Sequence, residues 1–160
     1  MQWMYRARIP FTAHADDDWS SYHKSSEEYG AHLPKCSKEI LVMFQLWVLA
    51  DKLLIPEVQN LTIKHIHEVA QVCPGPLVDH LNYLYANTAE KSPLRAMVVD
   101  KVIWKLGKGY WDKRFEELYP KDFLIDVAYA FTHAATTETG SLGRRRRVRK
   151  EAEEFFVSVE

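Results

Sequence analysis

The chain has 160 residues, 47% of them apolar and 27% charged, with a formal net charge of −1 and two cysteines. So apolar and nearly neutral a composition excludes a disordered chain, and two cysteines exclude both a disulfide framework and a four-cysteine zinc site. Apolar runs no longer than five residues, such as Leu46–Ala50, exclude a membrane-spanning helix, and the first ten residues have no apolar h-region of a secretory signal. The expectation is a soluble protein of a reducing intracellular compartment, cytoplasm or nucleus.

Residues 1–11 (MQWMYRARIPF) are rich in aromatic and apolar side chains. Chain termini are ordinarily polar, so Trp3, Met4, Tyr5, Ile9 and Phe11 call for a cover, as if the chain began inside an element. Arg8 to Thr12 is the one stretch that reads as a strand. Residues 12–36 keep neither a 3.6 nor a 2 period and read as a long polar loop.

Order is expected from Ser37, an N-cap with Glu39 in the first turn. From Ile40 to Leu54 apolar residues point in nearly every direction, which predicts a central, buried helix. Ile55-Pro56 ends it, and Pro56 suits the first position of a helix over 56–72. That helix has two apolar stripes, one of Val58, Leu61, Thr62, His65 and Val69, the other of Ile63, Ile66 and Ala70, so it is expected between neighbours. Pro74-Gly75-Pro76 breaks it, and Leu77, Leu81, Leu84 and Tyr85 mark a third helix.

Ser92-Pro93 reads as an N-cap and N1 proline, with Val99, Val102, Ile103 and Leu106 as the core face of a fourth helix stopped by Gly107 and Gly109. A short segment, Trp111 to Leu118, and a helix from Pro120 to Phe131 follow, with Phe123, Val127, Ala130 and Phe131 in phase. The expected organisation is a helical domain over 1–133, with the loop at 12–36, a linker at 134–143 and a charged tail at 144–160. Within that tail, 144–156 reads as a charged helix. The fold class is all-α, a bundle of five to six short helices with little or no sheet.

Metal and catalytic chemistry find little support. His14, His23, His32 and Cys36, in or beside the loop, carry zinc-type donors, and His32 and Cys36 stand at i, i+4. The nine-residue gaps between the histidines are not the short paired spacing of a zinc motif, which leaves solvent-exposed loop histidines. His65 and His67 lie two apart on a helix and face different sides. No Gly-x-Ser-x-Gly elbow, His-Glu-x-x-His or Gly-x-Gly-x-x-Gly occurs, and Asp112, Glu116 and Glu117 read as a solvated face. No enzyme activity, cofactor or metal is expected.

The sharpest local signal is Arg144, Arg145, Arg146, Arg147, Arg149 and Lys150, six cations in seven residues. They suit a nuclear-localisation stretch or a grip on phosphates, but Glu151, Glu153 and Glu154 lie at pairing distance, and a solubilising tail is favoured. Residues 141–160 carry net +2 against −3 for residues 1–140, so no broad field holds a polyanion and nucleic acid is not the expected partner. Asn60-Leu61-Thr62 matches a glycosylation acceptor but falls in a helix. Trp47, Trp104, Trp111, Tyr83, Tyr85 and Tyr110 fit either a core or an interaction surface.

The stretch from Leu46-Trp47-Val48-Leu49-Ala50-Asp51-Lys52 through Pro56-Glu57-Val58-Gln59-Asn60-Leu61 resembles BTB/POZ domains, where a buried helix ends in Ala-Asp-Lys, and fungal members in particular. Trp3-Met4-Tyr5-Arg6-Ala7-Arg8-Ile9 is similar to the family's aromatic-x-Tyr-Thr-Gly segment, with Arg6-Ala7 in place of Thr-Gly. Tyr85-Ala86-Asn87-Thr88 and Ser92-Pro93-Leu94-Arg95 resemble the helical extension of the fungal proteins. The resemblance covers roughly residues 1–131 and has no counterpart to the opening strands and helices of the family, which suggests a C-terminal part or a shortened relative. It implies a non-enzymatic protein–protein interaction module, an adaptor or scaffold whose partners would include a cullin-type ubiquitin ligase. Much of the family's dimer and cullin surface belongs to the half without a counterpart here.

Overall fold

The structure is a computed structural model and describes residues 27–73, 75–105, 118–136 and 150–159. The fold is all-α: five α-helices and two 3-10 turns, with no strand among the described residues. They are α1 (Glu27–Lys52), α2 (Pro56–Val72), α3 (Leu81–Asn87), α4 (Pro93–Lys105) and α5 (Lys121–Thr136), with 3-10 turns at Gly75–Val78 and Ala152–Phe155. No helix among these residues is long and apolar enough to cross a membrane.

The chain divides into two compact units. One unit takes the described residues up to His80 together with Phe156–Val159; the other is Leu81–Phe155. Residues 150–159 are built into the units, and the helix expected over 144–156 is, where described, the 3-10 turn Ala152–Phe155 with Ala152 and Phe155 buried.

In the first unit α1 and α2 form a helical hairpin across the short turn 53–55, against which Gly75–Val78 packs. Ile40, Phe44 and Trp47 recur at i, i+4, i+7 on α1 and are buried, as are Ile63, Ile66, Val69 and Ala70 on α2. Two expectations about α1 fail. It starts at Glu27, so residues 27–36 are helix and not loop, and Ser37 lies inside it instead of capping it. Pro34 sits within the helix although it lacks an N–H there. Packing outweighs propensity: Cys36 is buried against Cys73, and Leu33 is the nearest neighbour of Gly75. Nor is α1 buried all round, because Val42, Leu49 and Leu53 are exposed.

Pro56 does open α2, with Ile55 extended before it and no side-chain cap. A second tie across the hairpin runs from Gln59 Nε2 to Asp51 Oδ1 at 3.0 Å. The extended residues after Phe155 return to α2, where the Asn60 amide behaves like a backbone peptide. Its Nδ2 donates to Val157 O at 2.8 Å and its Oδ1 accepts from Val157 N at 2.6 Å.

In the second unit α5 packs on α4 and α3, and the turn Ala152–Phe155 packs on α4. Leu94, Met97, Val98, Phe123 and Val127 are buried, and Phe123 makes T-shaped ring contacts with Tyr85 and Tyr119 at centroid distances of 5.8 and 5.5 Å. Of the residues read as core, Val99 and Ile103 are buried, whereas Phe131 is exposed; α5 also continues to Thr136, past the linker expected from 134. Lys101 Nζ donates to Lys150 O at 3.0 Å, which anchors the chain as it enters the final turn. Pro93 opens α4, but the Ser92 hydroxyl is buried and finds no hydrogen-bond partner, so the capping bond is not made. The strand at Arg8 to Thr12, the loop over 12–26, the glycine stop at 107 and 109, the side chain of Trp104, Tyr110, Trp111, and the linker beyond Thr136 lie outside what is described of the chain.

Candidate functional site

Two side-chain groups among the described residues have the residue types of catalytic sites and the geometry of clasps. Ser37 on α1 meets Asp79 and His80 just before α3, the residue types of a nucleophilic triad, and the pattern was not legible from spacing. Ser37 Oγ donates to Asp79 Oδ2 at 2.9 Å, and His80 Nε2 lies 2.9 Å from both Ser37 Oγ and Ser37 O. A backbone carbonyl only accepts, so His80 Nε2 carries the hydrogen and shares it between the two oxygens. A base toward Ser37 would need that nitrogen bare, and the third member would have to orient the imidazole instead of taking the serine proton. The trio fastens the chain beside α3 to α1.

The second clasp is Glu39 with His65, both buried, where His65 Nε2 donates to Glu39 Oε1 at 2.8 Å. Here the helix stripe containing His65 was legible, but its carboxylate partner across the hairpin was not. Beside it, Thr62 is buried with its hydroxyl on Val58 O at 2.7 Å. The Asn60-Leu61-Thr62 acceptor therefore has its amide engaged by Val157 and its hydroxyl turned into the helix.

Among the histidines tested for metal, His32 lies on α1, half-buried, which corrects its reading as an exposed loop residue, and Cys36 is fully buried against Cys73. No group of three or more His, Cys, Asp or Glu among the described residues is placed to hold a metal ion. His14, His23, Asp112, Glu116 and Glu117 lie outside the described residues, as do Arg144, Arg145, Arg146, Arg147 and Arg149. Lys150 is described: its carbonyl is held by Lys101 and its ammonium stands 5.7 Å from the Phe155 ring centroid. Of the aromatic candidates, Trp47 and Tyr85 are core residues and Tyr83 is half-buried.

The structure also exposes a set of apolar side chains. Along α1 and its end, Val42, Leu49, Leu53, Leu54 and Ile55 are all exposed, Leu54 to 86% of its full surface. Val42, Leu49 and Leu53 follow at i, i+7, i+11, so one face of the helix carries them toward the turn. The turn is a Schellman motif: Ile55 N donates to Ala50 O at 2.9 Å and Leu54 N to Asp51 O at 3.2 Å. That motif puts its C′ residue in the left-handed region, ordinarily as glycine. Here the residue is Leu54, at φ 55°. A leucine in that conformation costs about 1 kcal/mol against glycine, and the exposed side chain returns nothing to folding.

Compared with protein-family models, curated proteins and solved structures, the chain matches none of them.

Proposed function

We propose that the protein is a non-enzymatic protein–protein interaction module that docks a partner through the apolar face from Val42 to Ile55. One observation carries the reading: Leu54 occupies a backbone conformation that favours glycine and presents nearly its whole side chain to solvent. Strain kept where it does not help folding is the signature of a position held for another purpose. An apolar peg beside two further exposed leucines suits an apolar groove on another protein. The BTB resemblance belongs to the same proposal. Its Ala-Asp-Lys element coincides with the end of α1, and an adaptor role fits a chain whose exposed apolar face lies at that element.

The test is affinity purification of the full chain from its native cells, wild type beside L49E/L53E, with circular dichroism of both. A partner retained by the wild type and lost from an equally helical variant supports the reading. Identical partners on both overturn it. A third arm, with Arg144, Arg145, Arg146, Arg147 and Arg149 replaced by serine, addresses a nucleic-acid or chromatin role. Salt-dependent duplex binding that disappears in that arm while partner capture is unaffected by L49E/L53E would favour the basic tail.

A further inference from the structure

The two cysteines of the chain, 37 positions apart, meet inside the first unit. Cys36 stands on α1 and Cys73 ends α2; both are completely buried, and their sulfurs are in direct contact at 2.7 Å. Ile40, one turn on from Cys36, and Val69, one turn before Cys73, are buried core residues at this level of the hairpin. No other thiol exists in the sequence to compete. We propose that Cys36 and Cys73 are a dithiol site that is oxidised to an intramolecular disulfide tying α1 to the end of α2, with a small-molecule disulfide such as oxidised glutathione as the oxidant.

The chemistry balances in two exchanges. The thiolate of one cysteine attacks a sulfur of glutathione disulfide, forming a mixed disulfide and releasing one glutathione thiolate. The second cysteine, having given up its proton, attacks the protein sulfur of that mixed disulfide and expels the second glutathione. Two protein thiols are oxidised, one glutathione disulfide is reduced to two glutathione thiols, and the protein loses two hydrogens. The environment sets the speed. The hydrogen bond with Cys73, then burial, push the Cys36 thiol far above its ordinary range, so thiolate is scarce and oxidation of the folded chain is slow. Once made, the bond is shielded from reductants by the same burial. Closing a loop of this length in the unfolded chain is worth a rise in Tm of about 10 °C for a chain of this size.

The test uses the full reduced chain and glutathione disulfide in two arms, one on the folded protein and one during refolding from urea, where burial no longer limits access. Intact mass, thiol count and Tm are read in both. The expected product is a monomer lighter by two hydrogens, without glutathione adducts, melting about 10 °C above the reduced chain and returning on reduction. C73A, taken through the same steps, gains no such increase. Two free thiols, glutathione adducts or covalent dimers after the refolding arm would overturn the proposal, as would an oxidised monomer that melts below the reduced one. These readouts are independent of partner capture, so this site and the docking face stand or fall separately.

Discussion

The last four carbonyl groups of a helix lack intrahelical donors, and the ends of α3 and α1 treat theirs in opposite ways. At the end of α3, side chains do the work. Arg95 reaches back from α4, donating from Nη2 to Tyr85 O at 2.7 Å and to Thr88 O, and from Nε to Thr88 Oγ1 at 2.8 Å. Thr88 Oγ1 in turn donates to Leu84 O at 2.6 Å, and the buried guanidinium lies 4.2 Å from the Tyr85 ring centroid. The Tyr85 hydroxyl continues the chain to Asp126 Oδ2 at 2.8 Å on α5. At the end of α1 the backbone caps itself, with a leucine in the glycine position and its side chain in solvent. One helix end is spent on cohesion of its unit. The other forgoes stability that a single glycine would supply, and on that contrast the proposed docking role of the α1 end rests.

The contrast is broken most forcefully at Arg95. R95A strips donors from two carbonyls at a buried helix end and should cost about 3 kcal/mol in urea unfolding, several times the effect of any substitution at the exposed end of α1. R95K should recover little, because an ammonium cannot reproduce the fork on Thr88 and Tyr85. A loss below about 1 kcal/mol would mean the α3 end is held by something else.

A smaller effect sits on the same network. Burial, followed by the hydrogen bond to Asp126, pushes the Tyr85 hydroxyl well above its ordinary range. With the folded value above the unfolded one, Tyr85 contributes its full share below the unfolded tyrosine pKa of about 10. That share is lost as pH rises from there through the folded value. Y85F should cost about 1 kcal/mol at neutral pH and flatten the decline of stability above pH 10. An alkaline profile unchanged by Y85F would contradict this assignment.

The least disruptive substitution is S92A. A capping serine would lose about 1 kcal/mol, whereas a buried hydroxyl without a partner should change stability by less than about 0.5 kcal/mol, as read by the same unfolding curves.

Residues whose structure is set by their near neighbours were legible in the sequence. Pro56 and Pro93 open helices because a fixed φ and a missing N–H suit the first turn, and Ile40, Phe44, Ile63 and Ile66 show their buried faces by period alone. What escaped depends on groups distant in sequence. The first ten residues of α1 hide behind Pro34 and polar side chains, and their helix exists because Cys36 and Glu39 find Cys73 and His65 on the neighbouring helix. Ser37 looks like a cap because its true partners, Asp79 and His80, are some 40 positions away. The exposed apolar face was half legible: the leucines of α1 were read as core, since period cannot tell an apolar side that meets the interior from one that meets water. Leu54 gave no signal, because only the backbone torsion reveals that leucine stands where glycine belongs. The Asn60 clasp on Val157 likewise made a tail read as loose charge into part of a unit.

Whether Leu54 is held for something other than folding is measured directly by the unfolding free energy of L54G. Glycine relieves the left-handed backbone and removes a side chain that packs on nothing, so the variant should be more stable than the wild type by about 1 kcal/mol. A variant less stable than the wild type would show that Leu54 serves the fold, and the reading of the α1 end as a docking surface would fall with it.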